Sequence, residues 1–327
     1  MTKLRFGVIS TANIGTQKVI PGIQGASNCE VVALASRSQA TAQAVAAELG
    51  IPHAFGSYEE LLASDLIDAV YIPLPNHLHK EWTLAAARAG KHVLCEKPLA
   101  LTSADAQEMV DVCAAEGVAF MEAFMYRLHP SWLKAVELVR SGTIGRLQVV
   151  STVFGYFNDD PANIRNRTET GGGALMDIGC YPINLSRLLF DGEPQRIEAA
   201  IVRHPQFGTD VVTTAVLEFD GGHAMFTAST MAEESQEVQI IGEQGRIVIP
   251  IPFNIPPDRP SVVRLYQGGD PPADPHVEVF EFAACDPYTS EAEAFAAAVL
   301  AGDPVPTPPS DGVANMKVIE AIFAAAR

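Results

Sequence analysis

Leu4-Arg5-Phe6-Gly7-Val8-Ile9-Ser10-Thr11-Ala12-Asn13-Ile14-Gly15 decides the fold of the first third of the chain. Arg5 to Ser10 is a short apolar run of the kind that forms a buried strand, and a helix is predicted over Ile14 to Gly25. The join stands where a dinucleotide fingerprint, G-x-G-x-x-G, would lie, yet only its last glycine, Gly15, is kept. Ser10 and Ala12 replace the other two. Both are small enough for the backbone to approach a pyrophosphate, and the helix N-terminus behind them offers free N–H groups to anionic oxygens. An ordinary strand-to-helix turn reads equally well from these residues alone.

The surrounding pattern favours the nucleotide reading. Glu30 to Ser36, Ala69 to Ile72, His92 to Cys95 and Ala119 to Phe124 read as further buried strands. Helices are predicted between them over Ala40 to Leu49, His79 to Ala89 and Ser103 to Glu116. Such alternation predicts a doubly wound parallel sheet with its ligand crevice at the carboxyl ends of the strands. Ser10, Thr11, Ala12, Asn13 and Ile14 are then the first candidate cofactor contacts. The second strand ends in Ser36-Arg37-Ser38, about 20 residues beyond the fingerprint, where an NAD-preferring site carries an acidic residue for the ribose hydroxyl. Arg37 favours NADP instead, since a guanidinium pairs with a 2′-phosphate that a carboxylate would repel. The third strand leads into Pro73, Leu74, Asn76 and His79, which extend the candidate cofactor set. His77 and His79 lack an acidic or cysteine partner at suitable spacing, so no metal is expected.

Composition bounds the function. The chain has 327 residues, 48% of them hydrophobic and 19% charged, enough to bury a core in each of two domains. A formal charge of −17 argues against nucleic-acid binding, which needs clustered positive charge. No apolar run reaches the ~18 residues of a membrane span, and the opening residues are too soon interrupted for a signal peptide. Cys29, Cys95, Cys113, Cys180 and Cys285 show no C-x-x-C spacing, which fits a reducing cytoplasm.

After Phe124 the pattern changes. A helix is predicted over Ser131 to Ser141, followed by strands over Gln195 to Arg203, Val211 to Phe219, His223 to Ser229, Glu237 to Ile241, Arg246 to Ile249, Val262 to Tyr266 and Val277 to Phe282. The meander predicts a large, mostly antiparallel open sheet with helices on one face. Helices over Glu291 to Ala301 and Asp311 to Ala326 close the chain. The expected fold is thus α/β: a dinucleotide-binding domain over residues 1–124, on which the helix 310–327 packs back, and a substrate-binding and oligomerisation α+β domain over 125–309. A sheet face without helices predicts a homodimer or homotetramer. Before this sheet, Gly171-Gly172-Gly173-Ala174-Leu175-Met176-Asp177-Ile178-Gly179-Cys180-Tyr181 sets a carboxylate and a phenol at i and i+4, one turn apart if helical.

Cys95-Glu96-Lys97-Pro98 at a strand end, Ala123-Phe124-Met125-Tyr126-Arg127-Leu128-His129-Pro130, and the Gly-Gly-Gly-x-x-x-Asp-x-Gly-x-Tyr run together resemble the Gfo/Idh/MocA oxidoreductase family over nearly the whole chain. The resemblance implies an N-terminal Rossmann domain and assigns Lys97 as the active-site lysine, Asp177 as the acidic residue beside the substrate and Tyr181 as the proton-transfer residue. Tyr rather than His at this last position resembles the sugar- and diol-oxidising branch. Glu96, Lys97 and Arg165 complete the expected cofactor set, and Lys97, Arg127, Asp177, Tyr181 and Asn184 the expected substrate set.

The implied chemistry is hydride transfer between a sugar and NADP, oxidising the C1 hydroxyl of an aldose such as xylose or glucose to the lactone. Oxidation of a trans-dihydrodiol, or reduction of a dicarbonyl or anhydrosugar, would use the same residues, and a non-catalytic NADP-binding sensor is the alternative of another class. A base is needed because the substrate hydroxyl must lose its proton. Tyr181, with an ordinary pKa of ~10, would need to fall by roughly 3 units, or ~4 kcal/mol. An ammonium ~4 Å away at an effective dielectric of ~20 supplies about that much. Asp177 would oppose the shift if it faced the phenol, so it is assigned to the lysine or to a substrate hydroxyl.

Overall fold

Six parallel strands organise the first unit: β1 (Leu4–Ile9), β2 (Cys29–Ala35), β3 (His53–Phe55), β4 (Ala69–Ile72), β5 (His92–Glu96) and β6 (Phe120–Ala123). The computed structural model describes residues 2–268 and 276–326; Met1, residues 269–275 and Arg327 lie outside the described residues. The strand order is β3-β2-β1-β4-β5-β6, all parallel. Chain direction across the sheet therefore reverses between β1 and β4, which opens a crevice at their carboxyl ends. All four residues of β4 are buried, as both faces of a covered parallel sheet require.

The helices of this unit are α1 (Ile20–Gly25), α2 (Gln39–Leu49), α3 (Tyr58–Leu62), α4 (His79–Arg88) and α5 (Ser103–Ala115). Ser38, Ser57 and Thr102 cap α2, α3 and α5, each accepting a backbone N–H from the first turn. The predicted helix from Ile14 begins as a turn of π-helix, Gly15–Val19, before α1. β3 and α3 were absent from the sequence reading because each is only a few residues long.

The second unit contains α6 (Pro130–Arg140), β7 (Leu147–Phe157), α7 (Cys180–Phe190), β8 (Arg196–Arg203), β9 (Asp210–Phe219), β10 (Gly222–Ser229), β11 (Met231–Gly242), β12 (Gly245–Ile249), β13 (Ser261–Gln267) and β14 (His276–Phe282). Its sheet runs β14-β13-β12-β11-β7-β10-β9-β8 and is antiparallel except where β10 lies parallel to β7. β7, an interior strand of this sheet, escaped the sequence reading. Its Val149-Val150-Ser151-Thr152-Val153-Phe154 run carries the β-branched signal, but Gly155 and Asn158-Asp159-Asp160-Pro161 make the segment resemble a loop. Val153, Val216 and Met225 are exposed on this sheet, with Val216 and Met225 directly paired across β9 and β10.

Two helices close the chain, α8 (Pro287–Ala301) and α9 (Pro309–Ala325). The sequence pattern grouped α8 with the later strands, but the compact units are Met1–Met125 with Asp286–Met316, and Tyr126–Cys285 with Lys317–Arg327. The physical reason is apolar: Phe295, Ala292 and Ala296 of α8 enter the same core as Leu4, Phe6 and Ile20, with Phe295 and Phe6 rings 6.0 Å apart. α9 is divided between the units after Met316 instead of returning whole to the first.

Candidate active site

The fingerprint turn carries a positive-φ residue at the first glycine position. Ser10 adopts φ +118°, a conformation that ordinarily selects glycine. Its Oγ accepts the Ala12 N–H at 3.0 Å, which offsets part of a backbone strain of about 1–3 kcal/mol. Gly15 allows the following helix to approach β4: a Cβ there would stand 3.3 Å from Pro73 Cγ. The turn thus brings backbone close ahead of a helix N-terminus, the arrangement a pyrophosphate site uses.

Parallel strands bring the other expected cofactor residues of the first unit to the same edge, whereas Arg165 lies in the second unit. Arg37 is exposed at the end of β2, between the buried Ser36 and Ser38, the cap of α2. Pro73 and Leu74 follow β4 and are buried, and Asn76 begins a short 3-10 turn. Glu96 ends β5, where its Oε1 accepts the Tyr71 hydroxyl at 2.6 Å, and the Lys97–Pro98 peptide is cis. His79 differs from expectation. It is wholly buried, with Nδ1 3.0 Å from the Pro98 carbonyl oxygen and Nε2 2.8 Å from that of Leu74. It therefore ties the two loops together from beneath and presents no surface to a cofactor.

In the second unit, the segment around Asp177 is helical but opens as a π-turn, Leu175–Gly179, leading into α7. Two contacts fix where it starts. The buried Asp210 carboxylate accepts the Leu175 N–H at 2.7 Å and the Thr213 hydroxyl at 2.8 Å. Gly173 has φ +118°, and a Cβ there would fall 2.0 Å from Asp210 Oδ1, so the close approach requires glycine. Burial holds the Asp210 carboxyl above its usual range, while the N–H and hydroxyl donors work against that shift.

Asp177 Oδ2 accepts the Tyr156 hydroxyl at 2.6 Å and lies 2.9 Å from Arg165 Nε. The Gly173 N–H donates to the Arg165 carbonyl at 2.8 Å, which ties the Arg165 loop to the start of the same helix. The Asp177 carboxylate pushes the Arg165 guanidinium upward, and burial followed by that carboxylate pushes the Tyr156 phenol upward. Tyr156 is thereby committed as a hydrogen-bond donor. Tyr181, 5% exposed, sits among aromatic rings: Phe253 at 5.1 Å, Phe154 at 5.7 Å and Tyr126 at 6.0 Å.

Arg127 and Asn184 also come together. Asn184 is fully buried, its Oδ1 accepting the Tyr126 hydroxyl at 2.6 Å and Arg127 Nη1 at 3.4 Å. Its position three residues after Tyr181 places it on the inward face of α7, where it anchors the Tyr126-Arg127 segment. His129 is the buried cap of α6.

Residues 4–124 match the oxidoreductase family with an NAD-binding Rossmann fold, and residues 132–248 match the GFO/IDH/MocA C-terminal domain. The chain belongs to the GFO/IDH/MocA oxidoreductase family. It is 41% identical over 325 residues to D-xylose 1-dehydrogenase (NADP(+)) 2 of Haloferax volcanii, covering 99% of this chain and 97% of that protein. A 3-ketoreductase from Actinomadura kijaniata, solved with NADP and TDP-benzene, superposes with a TM-score of 0.91 at 30% identity, covering 100% of this chain and 98% of the other. An aldose-aldose oxidoreductase from Caulobacter crescentus, complexed with glycerol, gives 0.90 at 28% identity, covering 99% and 97%. Among the described residues no helix is long and apolar enough to cross a membrane.

In this GFO/IDH/MocA chain two residues that hold Asp177 and its helix were missed in the sequence: Tyr156, on the unrecognised β7, and Asp210, at the start of β9. Only the spatial closure of the sheet brings either to Asp177 or its helix, although the triple glycine does announce a close approach of some kind.

His79 yields a pH prediction. Burial lowers its imidazole from 6.5 to about 4, against the opposing effect of the two carbonyls, so folding favours the neutral ring. Its contribution is fully present above pH 6.5 and drains away as pH falls towards 4, by roughly 3 kcal/mol in all. Denaturant titrations between pH 4 and 6.5 should show a shallower slope of stability with pH for His79→Gln than for the native chain. Equal slopes would contradict the assignment.

Proposed function

We propose that this oxidoreductase transfers a hydride between the C1 hydroxyl of an aldose, such as xylose or glucose, and NADP, releasing the lactone in the oxidative direction. The observation that carries the reading is the double engagement of Asp177 Oδ2 by Tyr156 and Arg165. A carboxylate paired in this way is an orienting group, and a tyrosine donating to it is a poor base. Proton transfer then falls to Tyr181. Whole-length similarity to an NADP-dependent xylose dehydrogenase supports the substrate class.

When bound, the nicotinamide accepts the hydride from the substrate carbon. The chain's part is to position that carbon and remove the hydroxyl proton. Tyr181 takes the proton, Lys97 supplies positive charge favouring the phenolate, and Asp177 orients the substrate. Ser10 to Ile14 hold the pyrophosphate by backbone approach, with Glu96 and Lys97 at the same strand edge, and exposed Arg37 meets the 2′-phosphate. The apolar face carrying Val153, Val216 and Met225 is proposed to pair with a second copy of the chain, giving a homodimer or homotetramer.

Reduced-cofactor formation from NADP+ and NAD+ should be followed across aldoses, polyols, trans-dihydrodiols and a dTDP-linked ketosugar, the last in reverse. Aldose oxidation with NADP+ is expected to dominate, and Arg37→Asp should move the preference towards NAD+. Turnover confined to another substrate class would replace the aldose reading, and an unchanged cofactor ratio would remove Arg37 from the site. Light scattering at micromolar concentration should give at least a dimer mass. A monomer would contradict pairing through the sheet.

A further inference from the structure

Gln236 is a polar side chain that the proposed chemistry does not touch, yet direct contacts lead from it to Tyr181. It lies on β11 opposite Phe154 of β7, and cross-strand partners project from the same face of a sheet. Phe154 is 4% exposed and its ring stands 5.7 Å from that of Tyr181, so this is the covered face. The neighbouring pair, Val153 and Glu237, projects from the other face and is exposed.

Gln236 Oε1 accepts two consecutive backbone N–H groups, that of Phe253 at 3.1 Å and that of Asn254 at 3.0 Å. Both belong to the connection between β12 and β13, in which Pro250, Pro252, Pro256, Pro257 and Pro260 have no N–H to donate. A segment with so few donors and no strand ladder is fixed by whatever side chains reach it. Trp132 of α6, wholly buried, donates its indole N–H to the Pro252 carbonyl at 2.5 Å. Phe253 is therefore held by its backbone on both sides. Its side chain is fully buried, and of the rings around Tyr181 it is the nearest, at 5.1 Å. The same ring stacks on Phe154 at 5.1 Å and meets Tyr126 edge-on at 5.3 Å. Gln236 thus holds the backbone of the ring that packs against Tyr181.

We propose that Gln236 is a positioning residue for proton transfer: by fixing the Phe253 backbone it sets the wall against which the Tyr181 ring is aimed. This rests on the reading of Tyr181 as the base. A base must meet its proton within hydrogen-bond reach, and a misplacement of about 1 Å caused far from the chemistry can lower the rate by about 10²-fold. Glutamine suits the place because one amide oxygen has two lone pairs for two donors. An apolar side chain of similar length would fill the space and leave both N–H groups without that acceptor. Gln236 itself takes no part in any bond that changes.

The test is single-turnover hydride transfer to NADP+ in the whole protein, with D-xylose or, if another substrate class named above is oxidised faster, with that alcohol. Gln236→Met keeps the length and removes the acceptor. It should slow hydride transfer by about 10- to 10²-fold while NADP+ affinity changes no more than about two-fold. Gln236→Glu, which keeps acceptor oxygens at the same reach, should return the rate to within about three-fold of native. Combination with Tyr181→Phe separates positioning from a general loss of structure: if Gln236 acts through Tyr181, adding Gln236→Met to Tyr181→Phe costs nothing further. An equal cost of Gln236→Met in both backgrounds, or hydride transfer at the native rate in Gln236→Met alone, overturns the proposal. Should Gln236→Met fail to fold, Gln236→Asn takes its place with the same outcomes, since its oxygen falls one methylene short. Tyr181→Phe at the native rate, or a native chain that oxidises no member of these classes, removes the base reading and the proposal with it.

Discussion

The second unit depends on one oxygen atom. Asp177 Oδ2 receives a hydroxyl from β7 and a guanidinium from the loop before the triple glycine, so strand, loop and helix meet at a single carboxylate. The Tyr156 bond, made to a charged acceptor, is worth about 1.5–3 kcal/mol. The helix carrying Asp177 is in turn placed by Asp210, without which the buried Leu175 N–H would lose its partner at a cost of about 1–3 kcal/mol. Gly173 is the condition for that contact. The last glycine of the triple run is thus packed tightly between a carboxylate and a π-turn.

The same economy appears in the first unit, where the dinucleotide turn survives the loss of two glycines. Ser10 keeps the positive φ and uses its own hydroxyl to satisfy the Ala12 N–H, while Gly15 keeps the close approach to Pro73. Each unit opens its functional helix with a π-turn, at Gly15–Val19 and at Leu175–Gly179. Such turns insert a residue into the helical ladder and redirect the side chains that follow, which is why they recur at functional positions.

The parallel sheet was legible in the sequence because its strands are continuous apolar runs separated by well-capped helices. The exposed place of Arg37 at the end of β2 was legible because a local spacing rule applies to it. The triad Lys97, Asp177 and Tyr181 came from motif resemblance and not from periodicity. What escaped has a common cause. Tyr156 and Asp210 act on the Asp177 helix through sheet pairing, and no local pattern marks a residue whose partner is brought to it by the fold. Asn184 and His79 show the converse: helix spacing singled out the first and a strand end the second, but only packing reveals their partners, Tyr126 and Arg127 for one and two carbonyls for the other. α8 carries no sign in its own sequence that Phe295 will fill the core begun by Phe6.

The central claim is a division of labour in which Asp177 orients and Tyr181 moves the proton. It is tested most directly by single-turnover hydride transfer from the preferred sugar to NADP+ in Tyr181→Phe, measured beside NADP+ affinity in the same variant. Hydride transfer is expected to fall by about 10²–10⁴-fold, the usual contribution of a positioned acid or base, with affinity changed no more than a few fold. Equal loss of both, or hydride transfer at the native rate, would contradict the account.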